Sequence, residues 1–321
     1  EADAGRGPGT LQGAAPHTVP CDTGSELFPQ PPTDPVGGCG VLRGVTVQDV
    51  RVVTGRAGVV RELRAAGPLL AALRAPVTAR GPWLTAALAL DATGRSPRPR
   101  PVAVVVDAPG GTRAPRALAT LALRGGPRLT ATLLGDGLPV PAGAAPARLP
   151  TQDDEAAERL ATGVLGVLDR VRRPWTLRLA GLPLGDPTLR AIGRLRPEAA
   201  FANARSARLV DTLDEAGPVH RTRDPAELEQ GLGALLAREP DRRARTALRT
   251  IVRLHAAIGQ VELATVVDAD RLRAGLLTLV DGADRWPWWG TSDTGLRTEM
   301  GAPLVTLTLR GGGPAASLSR R

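Results

Sequence analysis

The chain has 321 residues, enough for one large domain or two medium ones, and its 42% apolar content allows a buried core. Aromatic residues make up only 2%, so Leu, Val and Ala must fill that core. The formal net charge is +9, but all 41 basic residues are Arg. With abundant Ala, Gly, Leu and Pro this is the set that GC-rich codons encode, which excludes charge alone as an argument for a nucleic-acid partner.

Residues 1–44 are rich in Gly and Pro without a sustained period and are expected to form a disordered leader. They hold the only cysteines, Cys21 and Cys39, outside any CxxC spacing, so no metal site is expected. The leader has no basic region followed by an apolar stretch, as a signal peptide would, and the missing initiator Met fits a fragment or a trimmed product. No apolar run reaches membrane-spanning length. A cytoplasmic setting with reduced thiols is expected.

The run VTVQDVRVV (45–53) is β-branched and reads as a strand. Residues 56–76 carry Val59, Val60, Leu63, Leu69, Leu70 and Leu73 at helical spacing, with Gly67-Pro68 splitting them into two helices. Residues 81–90 predict a short helix with Trp83 facing the core. Val102–Val106 is a buried strand, and 116–137 is a hairpin turning at Gly125-Gly126, so three antiparallel strands are expected in succession. After a loop at 138–150, Thr151 is the expected cap of a long helix, acidic at its start and Arg-rich at its end.

In RPWTLRLAGLPLGDP (173–187), Trp175, Leu177 and Leu179 alternate with Thr176, Arg178 and Ala180, which predicts a half-buried strand. Asp186 then caps a helix opened by Pro187. The same start recurs at Asp224-Pro225, with Glu227 at the capping-box position. A helix at 241–258, a strand at 261–267 and another helix at 268–282 follow. From 283 the chain is expected to be irregular, with a three-Trp loop and a last strand at 303–309.

The segments ARLPTQDDEAAERLATGVLGVLDRVRRPWTLRLAGLPLGDP, RDPAELEQGLGALL and RRARTALRTIVRLHAAIGQVELATVVDADRL resemble GNAT-superfamily acetyltransferases of the cellulose-biosynthesis-associated type, over about 100–280. The leader and the residues after about 285 depart from that pattern. The resemblance implies an α/β fold, a mixed sheet with helices packed on it, in two GNAT-like units of which the second is partial. The expected division is a first unit at 45–215 and a partial second unit at 216–321 with an irregular tail. It also implies N-acyl transfer from a small-molecule acyl donor, acetyl-CoA, to an unidentified amine, with no metal, membrane or nucleic acid, by a chain that is truncated and inactive if its second unit is incomplete.

A GNAT donor site takes its pyrophosphate on backbone N–H groups at a helix start, in the form Arg/Gln-x-x-Gly-x-Gly/Ala. Arg310, Gly311, Gly313 and Ala315 fit that form, although Pro314 removes one amide and few residues remain for a helix. Arg242, Arg245, Arg249 and Arg253 share one stripe of helix 241–258, either a solvated face or a patch for an anionic substrate. The alternative function is an anion- or nucleic-acid-binding module using that stripe. His255 and Glu262 are the candidate bases, against ordinary filler and an exposed strand carboxylate. His220 lies in a loop without an identifiable partner, and Trp286, Trp288 and Trp289 either stack on a flat ligand or plug the core.

Overall fold

Short β-branched and leucine-rich runs alternate with helices opened by Gly, Pro or Asp. A computed structural model describes the result for residues 49–93, 98–110, 112–139 and 149–312. The expected leader, Cys21 and Cys39, and most of the loop at 138–150 lie outside the described residues. The described elements all belong to the unit Leu42–Arg321.

Strand β1 (Val50–Thr54) leads into α1 (Arg56–Ala65) and α2 (Gly67–Ala72), which divide at Gly67-Pro68 because proline is tolerated only in a helix's first turn. A 3-10 turn at Val77–Ala79 precedes α3 (Gly81–Thr93). Strands β2 (Arg100–Asp107), β3 (Pro115–Arg124) and β4 (Leu129–Leu133) are successive antiparallel partners, and β1 pairs antiparallel with β2. Helix α4 (Asp154–Asp169) then crosses the sheet, so that β5 (Trp175–Pro183) runs parallel to β4. Helix α5 (Pro187–Leu195) and β6 (Ala200–Leu209) follow.

The order then repeats. Strand β7 (His220–Thr222), helices α6 (Pro225–Leu236) and α7 (Arg242–Ala256), and strands β8 (Val261–Asp268), β9 (Arg271–Asp281) and β10 (Asp284–Ser292) form a second antiparallel set of four strands with two helices. Strand β11 (Thr298–Gly311) leaves that set and enters the first sheet. The sheets are β1-β2-β3-β4-β5-β11-β6 and β10-β9-β8-β7. The fold is therefore α/β, a mixed sheet with helices packed on it. Among the described residues no helix is long and apolar enough to cross a membrane.

Strand alternation splits the core. Val102, Val104 and Val106 of β2 face α4, whose Leu160, Val164 and Leu168 cover them. A Cβ at Gly163 would lie 2.8 Å from the Cγ1 atoms of Val50 and Val104, so α4 sits closer to the sheet than any side chain there permits. Ala103 and Val105 face the other way, toward α1 and α3. That cluster continues into α6, α7, Leu263, Leu277 and Leu279, so helices of both sheets share one interior. Trp83 of α3 lies at its centre, its ring 5.5 Å from Trp288 in an edge-on contact and 6.1 Å from His255.

Four expectations are corrected. Residues 268–282 are not a helix but the β8–β9 turn and β9. Ala269 and Asp270 turn the chain at φ 46° and 63°, both positive as in a type I′ turn. Strand β9 is covered on both faces, and its unbroken apolar run hides the strand period. The segment from 283 is not irregular. Strand β10 runs through the three tryptophans, with Trp288 the extra residue of a bulge between Pro287 and Trp289. The cap of α4 is Asp153 rather than Thr151, which bridges to Ala117. The strand β6, not expected at all, is exposed along most of its length at the edge of its sheet, so it shows no alternation.

Because one interior serves both sheets, Trp83→Ala is expected to cost about 3–5 kcal/mol. Urea unfolding followed by far-UV circular dichroism should show one transition moved to lower denaturant, not two separated ones.

Candidate functional site

Strands β4 and β5 stay paired only from Leu129↔Trp175 to Thr132↔Arg178. Beyond that β4 ends, while β5 runs on to Pro183 against β11. Arg178 donates to Asp136 across the gap at 3.1 Å. The helix start that follows, at α4, is acidic. Asp153 accepts the N–H of Ala156 at 2.8 Å, and Asp154 and Glu155 fill the first turn. Arg116 bonds both Asp153 (2.6 Å) and Glu155 (3.3 Å). The backbone hydrogen bond holds the Asp153 carboxyl below its usual range, with Arg116 adding to the effect.

The expected donor loop is placed otherwise. Arg310 and Gly311 end β11, with Arg310 exposed and paired in register to Thr176, whereas Gly313 and Ala315 lie outside the described residues. A Cβ at Gly311 would fall 2.3 Å from the Trp175 ring, and one at Gly312 would fall 2.5 Å from the Arg173 carbonyl. Close packing on Trp175 accounts for these glycines without a ligand.

Glu262 is not exposed. Its side chain is 7% exposed on β8 and holds three arginines. Arg285 grips both its oxygens, Arg223 donates at 3.2 Å, and Arg221 stands 3.6 Å away while bonding Asp211 at 2.7 Å. The hydrogen bond from Arg285, against the cost of burial, holds this carboxyl below its usual range. A carboxylate so held is a poor proton acceptor. A cavity of about 200 Å³ lies beside it, lined by Arg208, Asp211, Arg285, Glu299 and Thr278, whose buried hydroxyl has no partner among the described residues.

His255, at the end of α7, is fully buried. Its Nδ1 lies 3.2 Å from Gln260 Oε1, its Nε2 has no partner among the described residues, and burial pushes its pKa down. It reaches no solvent from which an acceptor could approach. His220 is exposed and 3.3 Å from Glu227, a partner the sequence did not reveal. In the arginine stripe, Arg245 folds back onto the Pro240 carbonyl, Arg253 forks onto Glu229 and Arg249 adds its charge to the same Glu229, which leaves Arg242 of the four without a partner among the described residues. Among the described residues no three His, Cys, Asp or Glu group as metal ligands would. Of the tryptophans, Trp288 plugs the core and donates to the Pro139 carbonyl at 2.8 Å.

A further cavity, of about 360 Å³, involves none of the expected catalytic, cofactor or arginine-stripe residues, but Trp286, weighed above for stacking, is on its wall. It lies between the connection joining α2 to α3 and the turn joining β9 to β10, with Arg74, Val77, Arg80, Asp281, Asp284 and Trp286 among its walls. Arg80 spans it, bonding the Ala75 carbonyl at 2.6 Å and Asp281 at 2.7 Å. The Asp-Gly of Val280-Asp-Gly-Ala-Asp284 is a hairpin signal in the sequence, and the structure turns the chain there between β9 and β10.

No protein-family model matches the chain, and no curated protein matches it. Among solved structures it is similar to a conserved protein of unknown function from Bacteroides thetaiotaomicron, at 9% identity and a TM-score of 0.46 over 77% of this chain and 97% of that one. It is also similar to a tandem GNAT protein from the clavulanic acid biosynthesis pathway, at 15% identity and a TM-score of 0.38 over 83% of this chain and 99% of that one. A GCN5-related N-acetyltransferase from Sphaerobacter thermophilus stands at 11% and 0.33, over 83% and 97%. At these values they are neighbours in outline only.

Glu262→Gln leaves Arg221, Arg223 and Arg285 facing one another. A buried pair broken on one side costs about 3–5 kcal/mol, less where the arginines are partly solvated, so a loss of roughly 2 kcal/mol is expected in urea unfolding. The His255 pKa is lower folded than unfolded, so the unfolded chain takes up the proton first. Stability should therefore fall as pH drops below about 6.5, the ordinary histidine value. His255→Gln should flatten that part of the stability profile.

Proposed function

We infer that this chain is an acyltransferase-like protein, GNAT-type in layout, that does not hold acyl-CoA and acts by binding rather than by turnover. The layout is supported by the order strand, helices and three antiparallel strands, followed by a crossover helix and a parallel strand that parts from its neighbour. The division at 215/216 belongs to the same reading, with 216–321 a partial second unit that lends β11 to the first sheet. In that partial unit β10 is followed directly by β11, with no crossover helix between them.

The observation that carries the reading is the start of α4. An acyl-CoA pyrophosphate needs free N–H groups and a positive field there. Asp153 already accepts an N–H of that turn, and with Asp154 and Glu155 it sets three carboxylates where the diphosphate would lie. Like charges about 4 Å apart repel by roughly 1 kcal/mol in water and about 4 kcal/mol near a protein surface. The other candidate, at Arg310 and Gly311, closes on Trp175. The residues present do not fit the cofactor, and no step is routed through it.

Isothermal titration of the full chain with acetyl-CoA is expected to show no saturable heat up to millimolar concentration. A saturable isotherm abolished by Arg178→Ala or Arg310→Ala would overturn the reading.

A further inference from the structure

The cavity of about 360 Å³ between the α2–α3 connection and the β9–β10 turn falls in the size range of small-molecule sites. Its charges balance, with Arg74 and Arg80 against Asp281 and Asp284. Arg80 and Asp281 are spent on each other. Arg74 and Asp284 are not paired, either with each other or with any other described residue. Two exposed residues without an ion-pair partner among the described residues, one cationic and one anionic, thus border one space whose remaining walls include Val77, Leu279 and Trp286.

Two local features show that these charges are held against the preference of the backbone. Arg74 is the residue just past α2. Its N–H bonds the Ala71 carbonyl at 3.0 Å and the Ala75 N–H bonds the Leu70 carbonyl at 2.9 Å, the pairing of a Schellman cap. That cap puts Arg74 at φ 46°, a conformation that favours glycine, yet this Gly-rich chain has arginine there. Across the turn, Asp281 and Asp284 are direct cross-strand partners, and like charges so placed repel. Arg80 pairs with Asp281, while Asp284, which is exposed, has no ion-pair partner among the described residues. The buried Thr78 hydroxyl, on the same wall, also lacks a partner among the described residues.

We propose that this cavity binds a free α-amino acid with an apolar side chain. Arg74 takes its carboxylate, Asp284 takes its ammonium, and Trp286, Val77 and Leu279 cover its side chain. A simple anion would meet two aspartates and a simple cation two arginines, whereas a zwitterion leaves every charge in the cavity matched. The proposal is independent of the acyl-CoA reading.

The test is calorimetric titration of the full chain with L-phenylalanine and L-leucine, beside phenylalaninamide and N-acetyl-L-phenylalanine. At least one amino acid is expected to bind saturably, with Kd at or below about 1 mM. Phenylalaninamide, which lacks the carboxylate, and N-acetyl-L-phenylalanine, which lacks the ammonium, should bind at least about tenfold more weakly, about 1.4 kcal/mol. Arg74→Gly suits the left-handed backbone, so it should keep or raise Tm while losing at least about tenfold in affinity. Asp284→Asn should lose a similar factor. Acetyl-CoA in the cell should leave the amino-acid isotherm unchanged, which separates this test from the previous one. The proposal is overturned if neither amino acid binds, if either derivative binds as well as its parent, or if Arg74→Gly binds like the unaltered chain.

Discussion

The meeting of Trp83, Trp288 and His255 is the constraint on which the two-sheet arrangement depends. The chain has five Trp, two Phe and no Tyr, so bulk is scarce and must stand where the layers are furthest apart. Leu, Val and Ala suffice between a helix and a sheet. Where the helices on one sheet meet the helices on the other, an indole fills the gap, and the edge-on contact at 5.5 Å turns the two rings into one wedge. The bulge in β10 makes this possible by taking Trp288 out of strand alternation. The enclosure that results pushes the His255 pKa down, since a charged imidazole would lose its hydration there.

Arginine without lysine gives the molecule its second kind of cross-link. Arg51 of β1 reaches both Asp107 of β2 and Glu62 of α1, Arg159 of α4 bonds Asp49 at 2.7 Å, and Arg285, Arg223 and Arg221 converge on Glu262. A planar fork can serve two acceptors at once, which an ammonium does less well. Many of these guanidiniums are thus occupied inside the fold. The stripe on α7 shows the same habit, with Arg245 turned to a backbone carbonyl and Arg253 to Glu229, although each carboxylate pair removes one charge of each sign and leaves the net +9 as it is.

Legibility followed how local the controlling interaction is. The proline-led starts at Asp186 and Asp224 were readable because cap, proline and first turn all lie within a few residues, and both aspartates accept the N–H groups expected of them. The strand β2 was readable because five consecutive β-branched or small residues leave few alternatives. Strand β9 was not, because burial on both faces removes the alternation that marks a strand, and its turn uses Ala269-Asp270 where a glycine would have signalled. The place of β11 between β5 and β6 depends on pairing with strands far back in the chain, from Thr298↔Leu209 to Gly311↔Trp175, which no local pattern encodes. For the site the failure was of kind. His255 and Glu262 have the chemistry of bases, but one is enclosed by tryptophan and the other gripped by arginine. Arg74 and Asp284 gave no signal because their proximity exists only once two distant turns meet.

On the proposed reading, the start of α4 is the point where holding the fold and holding an anionic donor would compete. A helix leaves its first four N–H groups unsatisfied, and they can be given to its own side chains or to a ligand, but not to both. Acidic residues there stabilise the helix by about 0.3–1 kcal/mol each. Helix α4 covers β1, β2 and β3 of the larger sheet, with Leu160, Val164 and Leu168 in the core and no side chain at Gly163 to hold it off. A helix carrying that much of the interior gains most from a fixed start, and Asp153, tied to both Ala156 and Arg116, fixes it. Asp153 takes one of those N–H groups, that of Ala156, and Arg116 ties it to Glu155. At this helix start, stability of the fold and retention of an anionic ligand draw on the same set of N–H groups, and the sequence assigns the Ala156 N–H to the fold.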